Sequence, residues 1–311
     1  MSRCGFTEVV MVTAHTHKMI AFLCDLGWTA ERYDMSPESI NFWDLAQPQR
    51  DSHLLHAPSG ECSVRLLSVS EQVPVARPLD TELIVPCGIF DINMRTNNSE
   101  FAFDFIQRHG WRPITDPIPW NFGDVSVKEF LSIQDDGIVL AVMERVSPPL
   151  PGKPFDRMSD IFNSTQVVQH IDDAIDFLEA LGFSLFTDFS GPMPGEGPRV
   201  LGLEQYPQEL GDIRLTVSHP DGVMEGSIEL ITTPKLPRES IARAAQAARG
   251  LHALRIPCVD IQARYQDIAD SRWSASIHKP LAERDFGQGS QLCAAFLTPE
   301  GARLELFEAP K

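Results

Sequence analysis

Closely spaced cysteines, long apolar runs and an excess of positive charge are all missing from this sequence. The six cysteines, Cys4, Cys24, Cys62, Cys87, Cys258 and Cys293, are scattered, and no two have the spacing of a zinc or redox motif. Several sit in apolar runs such as Gln291-Leu-Cys293-Ala-Ala-Phe, which reads as buried free thiols in a reducing compartment. No apolar run approaches the ~18 residues that span a bilayer. The first residues, Met1-Ser-Arg-Cys-Gly, lack the apolar core of a signal peptide. Lys and Arg total 26 against 43 Asp and Glu, for a net charge of -17. Such a surface repels a phosphate backbone, which argues against nucleic acid as a partner. The expectation is a cytoplasmic protein with no membrane or nucleic-acid partner.

What is present is a repeat. At 311 residues the chain has room for about two domains, each with its own core. Glu8-Val-Val-Met-Val-Thr-Ala reads as a strand. A helical stretch with Met19, Ile20, Phe22 and Leu23 on its apolar side follows, and ends at Leu26-Gly27-Trp28 with Gly as the C-terminal cap. The plan recurs at Asp91-Ile-Asn-Met-Arg, Phe101 to Phe105 and His109-Gly110-Trp111. It recurs again at Asn163-Ser-Thr-Gln-Val-Val, Ala174 to Phe177 and Leu181-Gly182-Phe183. Glu8 to Trp28, Asp91 to Trp111 and Asn163 to Phe183 are each 20 positions. A looser fourth copy starts at Leu251-His252-Ala-Leu-Arg-Ile and reaches Trp273, a span of 21 from His252, without the capping Gly.

Each copy closes in the same way. Pro58-Ser-Gly60, Asp135-Asp-Gly137, Pro220-Asp-Gly222 and Pro299-Glu-Gly301 are tight turns, each followed by a β-rich run. Each unit therefore reads strand, helix, two middle strands, turn, last strand. Ser147 to Pro154 is a Pro-rich linker near the midpoint. Val73 to Pro86 joins units one and two. Arg238 to Arg249 reads as a connecting helix, and Gly191 to Pro198 as a loop inserted in unit three.

A fourfold β-α-β-β-β unit with a Leu-Gly-aromatic helix end and a Pro-Asp-Gly…Ile-Glu-Leu last strand resembles the vicinal oxygen chelate superfamily. That group includes glyoxalase I, extradiol dioxygenases and bleomycin-resistance proteins. The resemblance implies an α+β fold of four tandem βαβββ modules, forming two cup-shaped mixed sheets with helices outside. It implies an N-terminal domain over 1–150 (modules 1–72 and 87–147) and a C-terminal domain over 155–311 (modules 155–234 and 250–311).

In the family a divalent metal is held from the first and last strand of each module. The first-strand positions fall on Glu8, Asp91, Asn163 and His252, and the last-strand positions on Arg65, Ala141, Glu229 and Glu305. A first cup of Glu8, Arg65, Asp91 and Ala141 contains a permanent cation that opposes a metal, and reads as a salt-linked structural cluster. A second cup would hold the metal set His252, Glu305, Glu229 and Asn163, suited to Zn, Ni, Mn or Fe(II). Glu229 and Glu305 would be the catalytic carboxylates and His278 a substrate contact. His170 is expected to cap a helix, and His15 and His17 to be exposed.

These positions point to a metal-dependent lyase or isomerase acting on a small α-hydroxy- or α-keto-carbonyl compound, in a possible homodimer. The alternatives are a metal-free protein that sequesters a small molecule and an Fe(II) ring-cleaving dioxygenase. Asn163 weighs against the last, because it leaves the site one histidine short of two histidines and a carboxylate.

Overall fold

A computed structural model of the chain describes residues 5–77, 88–122, 124–150, 155–192, 196–201, 211–234 and 248–309. Most of the stretch expected as a connecting helix, 238–247, and parts of the three expected linkers lie outside the described residues. Among the described residues no helix is long and apolar enough to cross a membrane.

All four units are present, in the order expected. Unit one holds β1 (Glu8–Thr13), α1 (Thr16–Asp25), β2 (Thr29–Asp34), α2 (Pro37–Phe42), β3 (Pro48–His56) and β4 (Ser63–Val69). Unit two holds β5 (Ile89–Thr96), α3 (Ser99–Arg108), β6 (Arg112–Pro113), β7 (Ile118–Phe122), β8 (Val125–Ile133) and β9 (Val139–Ser147). Unit three holds β10 (Met158–Val167), α4 (Ile171–Ala180), β11 (Ser184–Pro192), α5 (Gly197–Val200), β12 (Asp212–His219) and β13 (Ser227–Thr232). Unit four holds β14 (Gly250–Cys258), α6 (Ile261–Ala269), β15 (Ile277–Asp285), β16 (Ser290–Leu297) and β17 (Arg303–Glu308). The glycines after the first three main helices, Gly27, Gly110 and Gly182, have φ of 90, 80 and 98°, the left-handed end that their sequence position requires.

The units do not pair as consecutive halves. The eight-stranded sheet runs β15-β16-β17-β14-β1-β4-β3-β2, joining unit four to unit one. The other runs β11-β12-β13-β10-β5-β9-β8-β6, joining unit three to unit two, with β7 beside β8. The division into 1–150 and 155–311 is therefore corrected: each sheet takes one unit from each half. The seam in each sheet is an antiparallel pair of first strands, β1 with β14 and β5 with β10.

The alternation of side chains across each strand sorts the two faces. Val9 and Met11 of β1 and Ile92 and Met94 of β5 join one large core with the main helices. Within it α1 and α3 of different sheets meet, Phe22 lying 5.9 Å from Phe105, and Phe177 of α4 lies 5.3 Å from Trp273, which follows α6. The four main helices, α1, α3, α4 and α6, thus lie outside both cups and between the two sheets, whereas the short α2 and α5 pack into the cup clusters. Tyr265 packs against this core. The opposite faces carry separate clusters, Val10, Val12, Trp43 and Phe286 in the first sheet and Phe90, Leu131, Val139 and Ala141 in the second. Cys62 and Cys293 are buried free thiols, whereas Cys24 is exposed. Burial pushes the Cys293 thiol up to about 12 and Cys62 up as well, which keeps both unreactive.

The first cup is filled. Glu8 accepts hydrogen bonds from Arg65 (Nη2 to Oε2, 3.2 Å) and Arg255 (Nη1 to Oε1, 2.9 Å). Glu305 meets Arg303 at 2.6 Å and Arg255 at 3.3 Å. Aromatic rings close over the charges: the Arg255 guanidinium lies 5.0 Å from Phe286 and 4.7 Å from Phe307. Arg65 donates to the Tyr33 hydroxyl, and the Trp43 ring, just after α2, packs 4.6 Å from that of Phe286 at a tilt of 34°. The salt-linked cluster expected around Glu8 and Arg65 is present, but Asp91 is not in it; Arg255 and Glu305 are.

A buried carboxylate between two buried guanidinium groups cannot be removed cheaply. Glu8→Ala leaves Arg65 and Arg255 facing each other and should cost about 3–5 kcal/mol, read as a loss in urea unfolding. The two arginines hold the Glu8 carboxyl at about 2, below its ordinary 4.5, against the upward push of burial. Its stabilisation is therefore complete above about pH 4.5 and lost as pH falls toward 2. Glu8→Gln should flatten the unfolding curve in that window.

Candidate functional site

The pairing of the strands settles which residues stand at equivalent places. In parallel register, Val10 meets Arg65, Asn93 meets Ala141, Thr165 meets Glu229 and Arg255 meets Glu305. Two residues earlier on the first strands lie Glu8, Asp91, Asn163 and Ala253. Seven of the eight expected positions thus keep the repeat register. The eighth, His252, does not. Val10 pairs with Ala253 and Met11 with Leu251, so His252 is the extra residue of a β-bulge. Ala253 restores the span of 20 to Trp273.

The expected metal set is divided between the two sheets. His252 and Glu305 belong to the first, and Asn163 and Glu229 to the second. The His252 ring hydrogen-bonds the Trp43 backbone, and burial lowers its pKa to about 3. Glu305 is held by Arg303 and Arg255. His278 is also in the first sheet, on β15, with Nε2 2.7 Å from Asp44. His170 precedes α4, but its side chain makes no capping hydrogen bond; its backbone N–H donates to Glu300. His15 is half-buried rather than exposed, with Nδ1 3.3 Å from Asp136.

The second cup assembles a different group. Asp91 and Asn93 from β5 face Asn163 and Thr165 from β10, with Glu229 beside Thr165 and Glu129 on β8. The Asn93 amide donates to Asp91 Oδ1 (3.0 Å), Asn163 Oδ1 (2.9 Å) and Thr165 Oγ1 (3.2 Å). The Thr165 backbone N–H donates to Asp91 Oδ1 (3.2 Å), and its hydroxyl to Glu229 Oε1 (3.4 Å). Asn163 turns its own amide to Ser227 Oγ at 2.9 Å. Trp120 donates its indole N–H to Glu129 Oε2 at 2.9 Å. A bulge at Phe90, between the Thr165–Asp91 and Gln166–Ile89 pairs, places Phe90 in the apolar wall beside these groups.

Three carboxylates in one apolar cup shift one another's protonation. Asp91 is 3% exposed, Glu129 8%, and Glu229 half-buried. Burial raises Asp91 to about 6, against hydrogen bonds from Thr165 and Asn93 and the charge of Arg77. Burial raises Glu129 to about 7, opposed by the Trp120 hydrogen bond and helped by Asp91. Glu229 reaches about 8 through burial and the nearby Asp91 and Glu129. Near neutral pH the cup therefore holds an ionised carboxylate beside protonated ones.

Glu129 was not foreseen. Its signal lies in Val127, Glu129, Leu131 and Ile133, a period-two run in which one acid replaces an apolar residue. Thr165 and Asn93 were missed because each lies two residues beyond the position inspected, on the same face. Trp120, without an assigned role in the sequence, is the partner of Glu129.

The fold compares with solved structures. Glyoxalase I from Zea mays superposes with a TM-score of 0.64 at 13% identity, covering 98% of this chain and 92% of that one. A Bacillus subtilis protein described as a dioxygenase superposes with a TM-score of 0.56 at 12% identity, covering 100% and 86%. No protein-family model and no curated protein matches the chain. The chain has the fold of the vicinal oxygen chelate superfamily, with four units over its full length.

The divalent metal of that fold family does not suit the residues here. The four equivalent positions of the second cup give Asp91, Ala141, Asn163 and Glu229. Ala141 has no donor atom, and the Asn163 oxygen already accepts from Asn93. In the first cup Arg65 occupies a ligand position. Among the described residues, no three His, Cys, Asp or Glu side chains are grouped to hold a metal.

The raised carboxyl values carry a stability consequence. Between about pH 4.5 and 8 the folded protein keeps protons that the unfolded chain releases, so its stability falls as pH rises through this window. Urea unfolding from pH 5 to 9 should show that decline, and Glu229→Gln should remove its upper part.

Proposed function

We propose that the second cup binds a small carbonyl compound and moves a proton on it, as an isomerase, epimerase or lyase does. The observation that carries this reading is the trio Asp91, Glu129 and Glu229, set to different protonation states in one apolar cup. Asp91, ionised at neutral pH, is the base that removes a proton from the carbon next to the carbonyl. Glu229, protonated at neutral pH, donates a hydrogen bond to the carbonyl oxygen as negative charge develops there. A neutral carboxylic acid in an apolar site is suited to that task. Glu129 supplies a second proton near neutrality. Returning a proton to the same carbon gives epimerisation, and returning it to its neighbour gives isomerisation. Asn93 and Thr165 position Asp91, and Trp120 positions Glu129.

The metal-dependent form of this chemistry is not adopted, because the donor set above does not suit the ion. The Fe(II) dioxygenase reading loses its histidine, since His252 lies in the other sheet. Sequestration without turnover keeps one supporting observation: Ala141 and the committed Asn163 amide leave the positions that bind metal elsewhere in the family without a full set of donors.

Deuterium incorporation from D2O into a panel of α-hydroxy- and α-keto-carbonyl compounds, followed by proton NMR, tests the reading. Exchange should rise as Asp91 ionises through about pH 6 and fall as Glu229 loses its proton through about 8. Asp91→Asn and Glu229→Gln should each slow it about 100-fold or more. Saturable binding with no exchange would establish sequestration instead. Exchange that appears only on adding Mn, Ni, Zn or Fe(II) would restore the metal.

A further inference from the structure

A second feature lies away from both cups. Where α1 and α3 converge with the chain just before β10, an open groove of about 430 Å³ is lined by Asp25, Phe101, Phe105, Arg108, His109 and Arg157. That volume suits a small molecule. Three units build the groove: Asp25 ends α1, Arg157 precedes β10, and the other four residues stand on or just after α3. Steps of four, three and one put Phe101, Phe105, Arg108 and His109 along one face of that helix.

The repeat separates the side chains that the scaffold needs from those that it does not. Phe105 stands where Phe22 and Phe177 stand in units one and three, and all three join the shared core. Phe101, Arg108 and His109 have no such counterparts: unit one has Lys18, Asp25 and Leu26 there, and unit three has Asp173, Ala180 and Leu181. The Phe101 and Phe105 rings lie 5.8 Å apart with 24° between their planes. The Arg157 guanidinium is 6.0 Å from the Phe101 ring, and the His109 ring is 4.6 Å from that of Phe105. At the other helix junction between the sheets, Arg272 is neutralised by Asp173 and Asp176. Here the Arg108 guanidinium is exposed and has no hydrogen bond or ion pair among the described residues. Arg157 donates from Nη1 to the Asp25 carbonyl oxygen at 3.3 Å, and its Nε lies 4.0 Å from the exposed Asp156, which leaves Nη2 unengaged among the described residues. Asp25 is the one acid in the lining, and His109 Nε2 lies 3.2 Å from its carboxylate.

We infer that this groove binds a flat aromatic ring that carries a carboxylate or a phosphate. The ring lies against Phe101 and Phe105, in the offset arrangement that aromatic pairs favour. The anionic group meets the N–H donors of Arg108 and Arg157, which are planar and suited to paired oxygens. Two guanidinium groups against one carboxylate make the lining cationic, on a chain whose net charge is -17. The groove is therefore a local reversal of the surface field, and it selects for negative charge. A ligand cation is drawn to ring faces too, but here it is repelled by both arginines. The inference stands apart from the proton-transfer reading, because the groove shares no residue with either cup.

Titration of the full chain with benzoate, phenyl phosphate, benzyl alcohol and benzylammonium at matched ionic strength, followed by proton–nitrogen NMR, decides the matter. Saturable shifts in the amide signals of residues 101–109 and 155–157 with benzoate, phenyl phosphate or both support the inference, and the tighter of the two names the anionic group. Failure of both anions to saturate those signals overturns it. Binding of benzyl alcohol or benzylammonium as tight as that of the anions also overturns it. Arg108→Gln alters a side chain that has no partner of its own, so the fold is retained. It should weaken anion binding about threefold or more, and Phe101→Ala, checked for folding by circular dichroism, should do the same. Unchanged affinity in Arg108→Gln overturns the site, whatever the outcome for Phe101→Ala.

Discussion

A βαβββ unit cannot stand alone, because its first strand leaves a full edge of N–H and C=O groups unpaired. In this chain that edge is covered by the first strand of another unit, β1 by β14 and β5 by β10. This pairing is the constraint on which the rest depends. It sets the two sheets, decides that unit one meets unit four, and brings Glu8 opposite Arg255 and Asp91 opposite Thr165. The four main helices then have one place to go, the shared core between the sheets.

The same architecture handles buried charge in two ways. In the first sheet, Glu8 and Glu305 are matched by Arg65, Arg255 and Arg303, and rings of Trp43, Phe286 and Phe307 exclude water. In the second, Asp91, Glu129 and Glu229 are not balanced in that way, and protons take the place of the arginines. Removing an ion from water is costly in either case. Compensation by fixed cations yields a rigid interior. Compensation by protons yields groups that can exchange them with a ligand.

Much of the fold was legible because repetition multiplies weak signals. The span of 20 from Glu8, Asp91 and Asn163 to the helix-ending aromatic, and the four turn glycines, identified units whose register the structure keeps at seven of eight positions. The pairing of units was not legible, since strand partners across a chain leave no local mark. Placing Asp91 with Glu8, and His252 with Glu229, followed from assuming consecutive halves. The misplacement of His252 has a different cause. A bulge adds one residue without changing composition, and a shift of one moves a side chain off the expected face. Glu129 shows that an acid inside an alternating apolar run was readable, had the middle strands been weighed with the outer ones.

The crossed pairing also bears on how the chain is made. Asn93 and Asn163, which meet across the seam of the second sheet, are 70 residues apart in sequence. Glu8 and Arg255, which meet across the seam of the first, are 247 apart. Domains form as their parts leave the ribosome, and closing distant contacts is slow. The second sheet, with its trio of carboxylates, can be complete while β14 to β17 are still being synthesised. Unit one must wait, with its β1 edge uncovered, until the last unit arrives. The proton-bearing cup is thus the early half of the molecule, and the arginine-filled one is the clasp that closes last.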